Sequence, residues 1–506
     1  MIALTAAEIA EAVGGQPVGL EAADLGSITC TAATTDSREV GPGALFIAKP
    51  GESTDGHRFI PQALAAGAVL ALAERETRDE EGRTHPAILV PDVVLAMGAL
   101  AHAIVVRLRA TGPLRVIGIT GSAGKTTTKD LLAGILSTLG PTVAPQGSYN
   151  GEVGVPLTVF RAEHDTRYLV IEMGANAVGN IRYLCDMVLP DAGAVLKVGT
   201  AHLGEFGSVE NIARTKAELA SGVAADGAVA LNLDDPRVAR MAEVAGAPVT
   251  WFGVAGRHQD RPAEGAGMLE ARDLRADAQG RPVFTLVLPD GSQHAITARL
   301  IGEHHVYNLL AAASLALAVG APVEAVVRGL NTLGPRSRYR MERTDRPDGV
   351  TVINDAYNAN PESMAAALRT LAQMGRDARP PRRTWAVLGP MLELGAASAA
   401  EHGKIGRDAV RLNIAKLVAV GPEAKPIYSD ALLEGSWGEE ACWVETVEQA
   451  EQLLGEQLAP GDIVLVKSSN GAGLRFLGDR VARGLPDGAS NAPRQSSETA
   501  EPQERR

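Results

Sequence analysis

Thr120-Gly121-Ser122-Ala123-Gly124-Lys125-Thr126-Thr127 is the stretch that decides the fold. It follows the apolar run Arg115–Thr120 and opens the amphipathic stretch Lys125–Leu139. That order is strand, glycine-rich loop, helix. Glycines let backbone N–H groups turn toward phosphate oxygens, and a helix N-terminus adds partial positive charge. The Lys125 ammonium can reach terminal phosphates, and the Thr126 hydroxyl can ligate Mg²⁺. The spacing G-x-x-x-x-G-K is not met, because Ile119 holds the first glycine position between Gly118 and Gly121. Strand, loop, Lys-Thr pair and helix together still predict that residues 120–127 bind a nucleotide.

Outward from this loop, apolar strands are expected at Tyr168–Glu172, Ala192–Val198 and Gly227–Asn232, with helical stretches between them. This is the pattern of a parallel sheet wound by crossovers. Val283–Leu288 and His294–Leu300 flank Pro-Asp-Gly-Ser, a hairpin signal. Upstream lies a mixed segment that begins with a helix capped by Thr5 and Glu8 and ends at a linker, Thr111-Gly112-Pro113. Downstream, the polar run Gly334–Arg338 reads as a second hinge. Beyond it the βα alternation restarts at Val350–Asn354, Thr384–Gly389, Lys416–Gly421 and Asp462–Ser468. From Pro486 no large apolar residue remains, and such a tail cannot repay its ordering entropy. The expectation is an α/β chain with domains at 1–110, 111–335 and 336–485 and a disordered tail at 486–506.

Composition narrows the function. The 506 residues are 45% apolar, and 48 Lys+Arg against 60 Asp+Glu leave a net charge of −12. A general nucleic-acid binder needs a concentrated basic face, so that class is set aside. Three distant cysteines form neither a metal pattern nor a disulfide framework, which points to a reducing compartment. The start of the chain lacks the basic segment of a signal peptide, and the apolar run Val93–Val106, interrupted by His102, is short for a bilayer. A cytoplasmic monomer without membrane insertion is expected.

Three residues outside the loop carry chemistry. Ligands of open α/β sheets gather beyond the carboxyl ends of the strands. Glu172 closes one strand and His202 follows another, so both can face a triphosphate and hold Mg²⁺. Lys216 lies four residues after Ile212 on the apolar stripe of a helix starting at Ser208. A buried ammonium needs a partner or a chemical change. With 9 lysines against 39 arginines, lysine is the rarer choice, and a site that requires an amine would explain it. Carbamoylation would turn that amine into a metal-binding carboxylate. Snorkelling to solvent is the alternative.

TGSAGKTTT, IEMGAN at Glu172, TAHLGEFGS at His202, TKAEL at Lys216 and GEHHVYNLLAA around Asn308 resemble the Mur ligases of peptidoglycan synthesis over nearly the whole chain to about residue 485. Asp355-Ala-Tyr-Asn-Ala-Asn-Pro361 and Leu388–Gly395 are similar to the branch that adds D-alanyl-D-alanine. The resemblance implies a central P-loop domain between an N-terminal substrate domain and a C-terminal Rossmann-like domain. It implies ATP and Mg²⁺ as cofactors, with UDP-N-acetylmuramoyl-tripeptide and D-alanyl-D-alanine as substrates. Lys125, Glu172, His202 and Lys216 would be catalytic, and Thr126, Glu172, His202 and carbamoylated Lys216 would hold the metal. Asn308 would lie near adenine, Asp355 near ribose and Arg340 near the phosphates. Thr35, Ser37 and Arg38 would meet the uridine diphosphate, with Asn150 and Asn176 nearer the transferred group. Tyr357, Asn358 and Asn360 would lie where the dipeptide enters.

Four positions depart from the family pattern: Lys197 and His305 stand where Asn is usual, Pro390 replaces an acidic residue, and Asn470 a basic one. A sibling ligase with another acceptor, or a nucleotide-binding relative with impaired catalysis, are the alternatives. An acyl phosphate must be kept from water, so a cleft that closes between domains is expected.

Overall fold

The computed structural model describes residues 1–51, 54–200, 203–258, 267–436 and 438–485. His202 and the 486–506 tail lie outside them. The fold is α/β, with a five-stranded, a nine-stranded and a six-stranded sheet in chain order.

The central sheet is built on Arg115–Thr120, flanked by Tyr168–Glu172 and Ala192–Val195, all parallel. Parallel pairing continues through Ala228–Asn232 and Val249–Val254 to Met268–Ala276, and the antiparallel strands Pro282–Val287 and Gln293–Thr297 then complete the sheet. The hairpin is therefore an extension of the nucleotide sheet. Ala192–Val195 stops three residues earlier than its apolar run; Leu196 still donates to the Thr120 carbonyl, and the Lys197 carbonyl then accepts the Ser122 amide of the loop. Apolar clusters fill both faces of the sheet, as crossover helices require.

The six-stranded sheet is parallel except for its edge strand Glu342–Asp345, and its two faces carry separate cores. The N-terminal sheet is parallel except for Gln16–Val18. The opening helix is Ala6–Val13, closed by a capping box between Thr5 and Glu8.

One expectation needs correction. The apolar run at Val93 is a 19-residue helix, Val93–Thr111, so Thr111 ends the helix and is not linker. By length and composition it could cross a bilayer, but half of it is buried in the protein. Met97, Leu100, Ala101, Ile104 and Leu108 join a core shared with the central segment through Leu184 and Val188. At Gly98, an added Cβ would lie 2.1 Å from the Tyr183 hydroxyl oxygen. Gly98→Leu is expected to cost about 2–3 kcal/mol by overpacking this seam, read as a lower thermal midpoint, whereas replacing the exposed Leu95 with Ala should leave the midpoint nearly unchanged.

Candidate active site

The strand Arg115–Thr120 delivers the chain into the loop, and Gly124 begins the helix Lys125–Leu136 with φ +88° and no side-chain cap. The first amides of that helix therefore lack an intrahelical or capping acceptor, which a phosphate can supply. At Gly124 a Cβ would lie 2.2 Å from Asn308 Oδ1, so the bare loop backbone lets the Asn308 side chain of the helix His305–Ala318 pack directly on it. Lys125 Nζ donates to the Gly121 carbonyl at 2.8 Å. Burial lowers its pKa, with Glu172 opposing and Arg340 reinforcing the shift.

Glu172 is buried at its strand end; Oε1 accepts from Asn150 Nδ2 at 2.9 Å, and Oε2 has no hydrogen-bond partner among the described residues. Thr126 Oγ1 lies 3.3 Å from Ser148 Oγ, which accepts from Arg340 Nη2 at 3.1 Å. The Arg340 guanidinium stacks 4.4 Å from the centre of the Tyr357 ring. An orphaned buried carboxylate oxygen and a nearby threonine hydroxyl are hard donors that suit Mg²⁺. Among the described residues no group of three His, Cys, Asp or Glu gathers at one point.

Lys216 is 5% exposed in the helix Val209–Gly222, beside Ile212, Leu219 and Ala220, which excludes snorkelling. Burial first and Lys125 second bring its pKa down to about 7. Its amine is therefore substantially neutral near neutrality, as a nucleophile toward CO₂ must be.

One cleft of about 2450 Å³ is lined by nearly all the expected residues, from Thr35, Ser37 and Arg38 to Asn176 and Lys216 and on to Asn308, Asp355, Tyr357, Asn358 and Asn360. Thr120 is not among them: it is fully buried and its hydroxyl donates to the Met173 carbonyl at 2.9 Å. Its side chain braces the loop from behind. Asp355 is engaged at both oxygens, by the Met341 amide at 2.9 Å and by Lys467 at 2.5 Å. Asn308 Nδ2 pairs with His305 Nδ1 at 2.9 Å, and Asn360 caps the helix Pro361–Asp377 while reaching the Ser122 carbonyl at 3.3 Å. Arg38 is drawn back onto Asp36. Sequence reasoning passed over Ser148, Lys467 and Glu362, whose partners lie more than 100 residues away.

Family models match three stretches: Mur ligase family, catalytic domain, over residues 29–104; Mur ligase middle domain over 119–316; and Mur ligase, glutamate ligase domain, over 339–470. The UDP-N-acetylmuramoyl-tripeptide–D-alanyl-D-alanine ligase of Mycobacterium tuberculosis H37Rv is 44% identical over 95% of this chain and 98% of its own. The chain belongs to the Mur ligase family. A crystal structure of MurF from Acinetobacter baumannii superposes with a TM-score of 0.81 at 30% identity, over 95% of this chain and 99% of that one. MurF from Thermotoga maritima in complex with ADP gives 0.73 at 26% identity, over 90% and 97%.

In this Mur ligase two histidines of the cleft wall are buried with cations nearby. His304 is lowered to about 4 by burial, then by Lys467, Arg369 and Lys197, and His305 is lowered well below the usual histidine value by burial and His304. Both are neutral in the fold and must bind protons on unfolding in mild acid. Their stabilising effect is complete above pH 6.5 and is lost as the pH falls toward 4. Denaturant titrations at pH 7.5 and 5 should differ by about 2 kcal/mol from His304 alone, and the His304→Gln variant should show a correspondingly smaller difference.

Proposed function

We propose that this Mur ligase joins D-alanyl-D-alanine to UDP-N-acetylmuramoyl-tripeptide at the expense of ATP, by way of an acyl phosphate. The observation that carries the reading is the convergence of the loop 121–127, Glu172, Lys216, Arg340 and Asn360 on one cleft, in a chain 44% identical over nearly its full length to a ligase so named. The segments 1–110, 111–335 and 336–485 would bind the UDP moiety, ATP and the acceptor respectively, in the cytoplasm.

The central difficulty is electrostatic. The tripeptide carboxylate must approach the terminal phosphate of ATP, and two unit charges 4 Å apart repel by about 4 kcal/mol at an effective dielectric of 20. Lys125 and the amides at the start of its helix neutralise charge on the transferred phosphoryl group. Arg340, braced by Tyr357 and Ser148, brings a guanidinium to the same side. Glu172 and Thr126, with His202 and carbamoylated Lys216, would hold Mg²⁺, which supplies charge neutralisation and orientation of the phosphates. Carbamoylation joins the Lys216 amine to CO₂ with loss of one proton, and the new anion would pair with Lys125. Thr35, Ser37 and Arg38 would meet the uridine diphosphate, with Asn150 and Asn176 nearer the transferred group. Asn308 would lie near adenine. Asp355, already salt-bridged to Lys467, would face the ribose. Tyr357, Asn358 and Asn360 would border the dipeptide.

Phosphate release from ATP with the UDP-tripeptide should require D-alanyl-D-alanine and should not respond to free diamino acids. Release with no acceptor would instead indicate an uncoupled ATPase. Lys216→Ala should lower kcat by about 100-fold or more, and short carboxylic acids should restore part of it. Failure of every carboxylate to do so would remove the carbamate from the account.

A further inference from the structure

The helix Pro361–Asp377 turns one stripe to the cleft: Glu362, Ala366, Arg369 and Gln373. They follow the i, i+4, i+7, i+11 rhythm of a single helical face. Glu362 stands in the first turn, and its Oε1 accepts both the amide and the hydroxyl of Thr200, at 2.8 and 3.0 Å. Thr200 follows Gly199, whose amide donates to Ser122 Oγ of the phosphate loop at 2.9 Å. Glu362 is thereby fixed within two short links of the reacting phosphates. Its second oxygen, Oε2, is buried with no hydrogen-bond partner among the described residues. A buried carboxylate oxygen without a donor is costly, and the donor it suits best is a cation that arrives with substrate. Arg369, two turns along, is exposed, lines the same cleft and pairs with no carboxylate among the described residues. Between the two lies the small side chain of Ala366.

A dipeptide zwitterion has this charge order, an ammonium and a carboxylate separated by small groups. Seven helical residues rise about 10 Å, and an extended dipeptide spans about 7 Å. The flexible Glu and Arg side chains close the difference.

We propose that this helix face is the acceptor subsite: Glu362 Oε2 receives the ammonium of the dipeptide and takes one of its protons, and Arg369 receives the terminal carboxylate. The assignment rests on the ligase reading above. The deprotonated nitrogen attacks the acyl carbon and forms the C–N bond. The C–O bond to phosphate then breaks, with its electron pair leaving on the phosphate oxygen. The second proton of the nitrogen leaves with the phosphate as hydrogen phosphate, and Glu362 returns its proton to solvent. A nucleophile that is already neutral needs neither the carboxylate nor the guanidinium.

The test compares wild type, Glu362→Gln and Arg369→Ala with three acceptors: D-alanyl-D-alanine, its C-terminal amide, and hydroxylamine at pH 8. Glutamine retains an oxygen for the Thr200 contacts, and circular dichroism checks each fold. Glu362→Gln is expected to lower kcat/KM for the dipeptide by about 100-fold, with hydroxamate formation from ATP and donor held within about threefold. Arg369→Ala is expected to raise KM for the dipeptide by about tenfold and to leave KM for the dipeptide amide unchanged. Glu362→Gln with dipeptide transfer intact, or with hydroxamate formation lost equally, overturns the Glu362 role. Equal penalties on dipeptide and amide in Arg369→Ala overturn the carboxylate contact. Wild type that forms hydroxamate and no dipeptide product overturns the choice of acceptor itself.

Discussion

Lys125 stands close enough to Lys216 in a buried floor to disfavour its charge, adding to the effect of burial, and much of the site can be understood from that repulsion. A protein gains no stability from two neighbouring ammonium groups in low dielectric. Such a floor becomes favourable when anions enter it, whether phosphates, a substrate carboxylate or a carbamate on Lys216. The central sheet holds the floor rigid, because Lys125 follows the strand Arg115–Thr120, Glu172 ends its neighbour on one side, and Lys216 lies on the helix that packs against that strand and its other neighbour, Ala192–Val195. Glu172, with one oxygen tied to Asn150 and the other open, is the counterweight.

The roof comes from far along the chain. Arg340 reaches Ser148, Asn360 reaches the Ser122 carbonyl, Glu362 grips Thr200, and the hinge residue Ser337 donates its amide and hydroxyl to Asp130 on the phosphate-loop helix. These hydrogen bonds join the C-terminal segment to the phosphate loop and its surroundings, beside apolar packing of Ile301 with Met374. On the proposed reading, the C-terminal segment would supply the acceptor side of the cleft and part of the phosphate environment together.

Sequence made the floor legible and left the roof obscure, for a physical reason. The loop, the strand ends and the stripe carrying Lys216 are local patterns, in which backbone geometry alone dictates which residues share a face. The strands Arg115–Thr120 and Tyr168–Glu172 were readable to the residue for that cause. Met268–Ala276 was not, since charged residues such as Glu270, Arg272 and Arg275 break the apolar signal toward the sheet's margin. Thr120 reads as a loop residue, yet its hydroxyl points into the core at Met173. Ser148 and Glu362 carry no motif of their own, and only the tertiary fold gives them partners.

The central claim is that a substrate carboxylate, not water, receives the phosphoryl group over this floor. It is tested most directly with UDP-N-acetylmuramoyl-tripeptide labelled with ¹⁸O in its terminal carboxylate, turned over with ATP and D-alanyl-D-alanine. The account predicts that each phosphate released carries one ¹⁸O atom, because the oxygen that bridged the acyl phosphate leaves with phosphorus. Unlabelled phosphate, with label retained in the peptide, would contradict it.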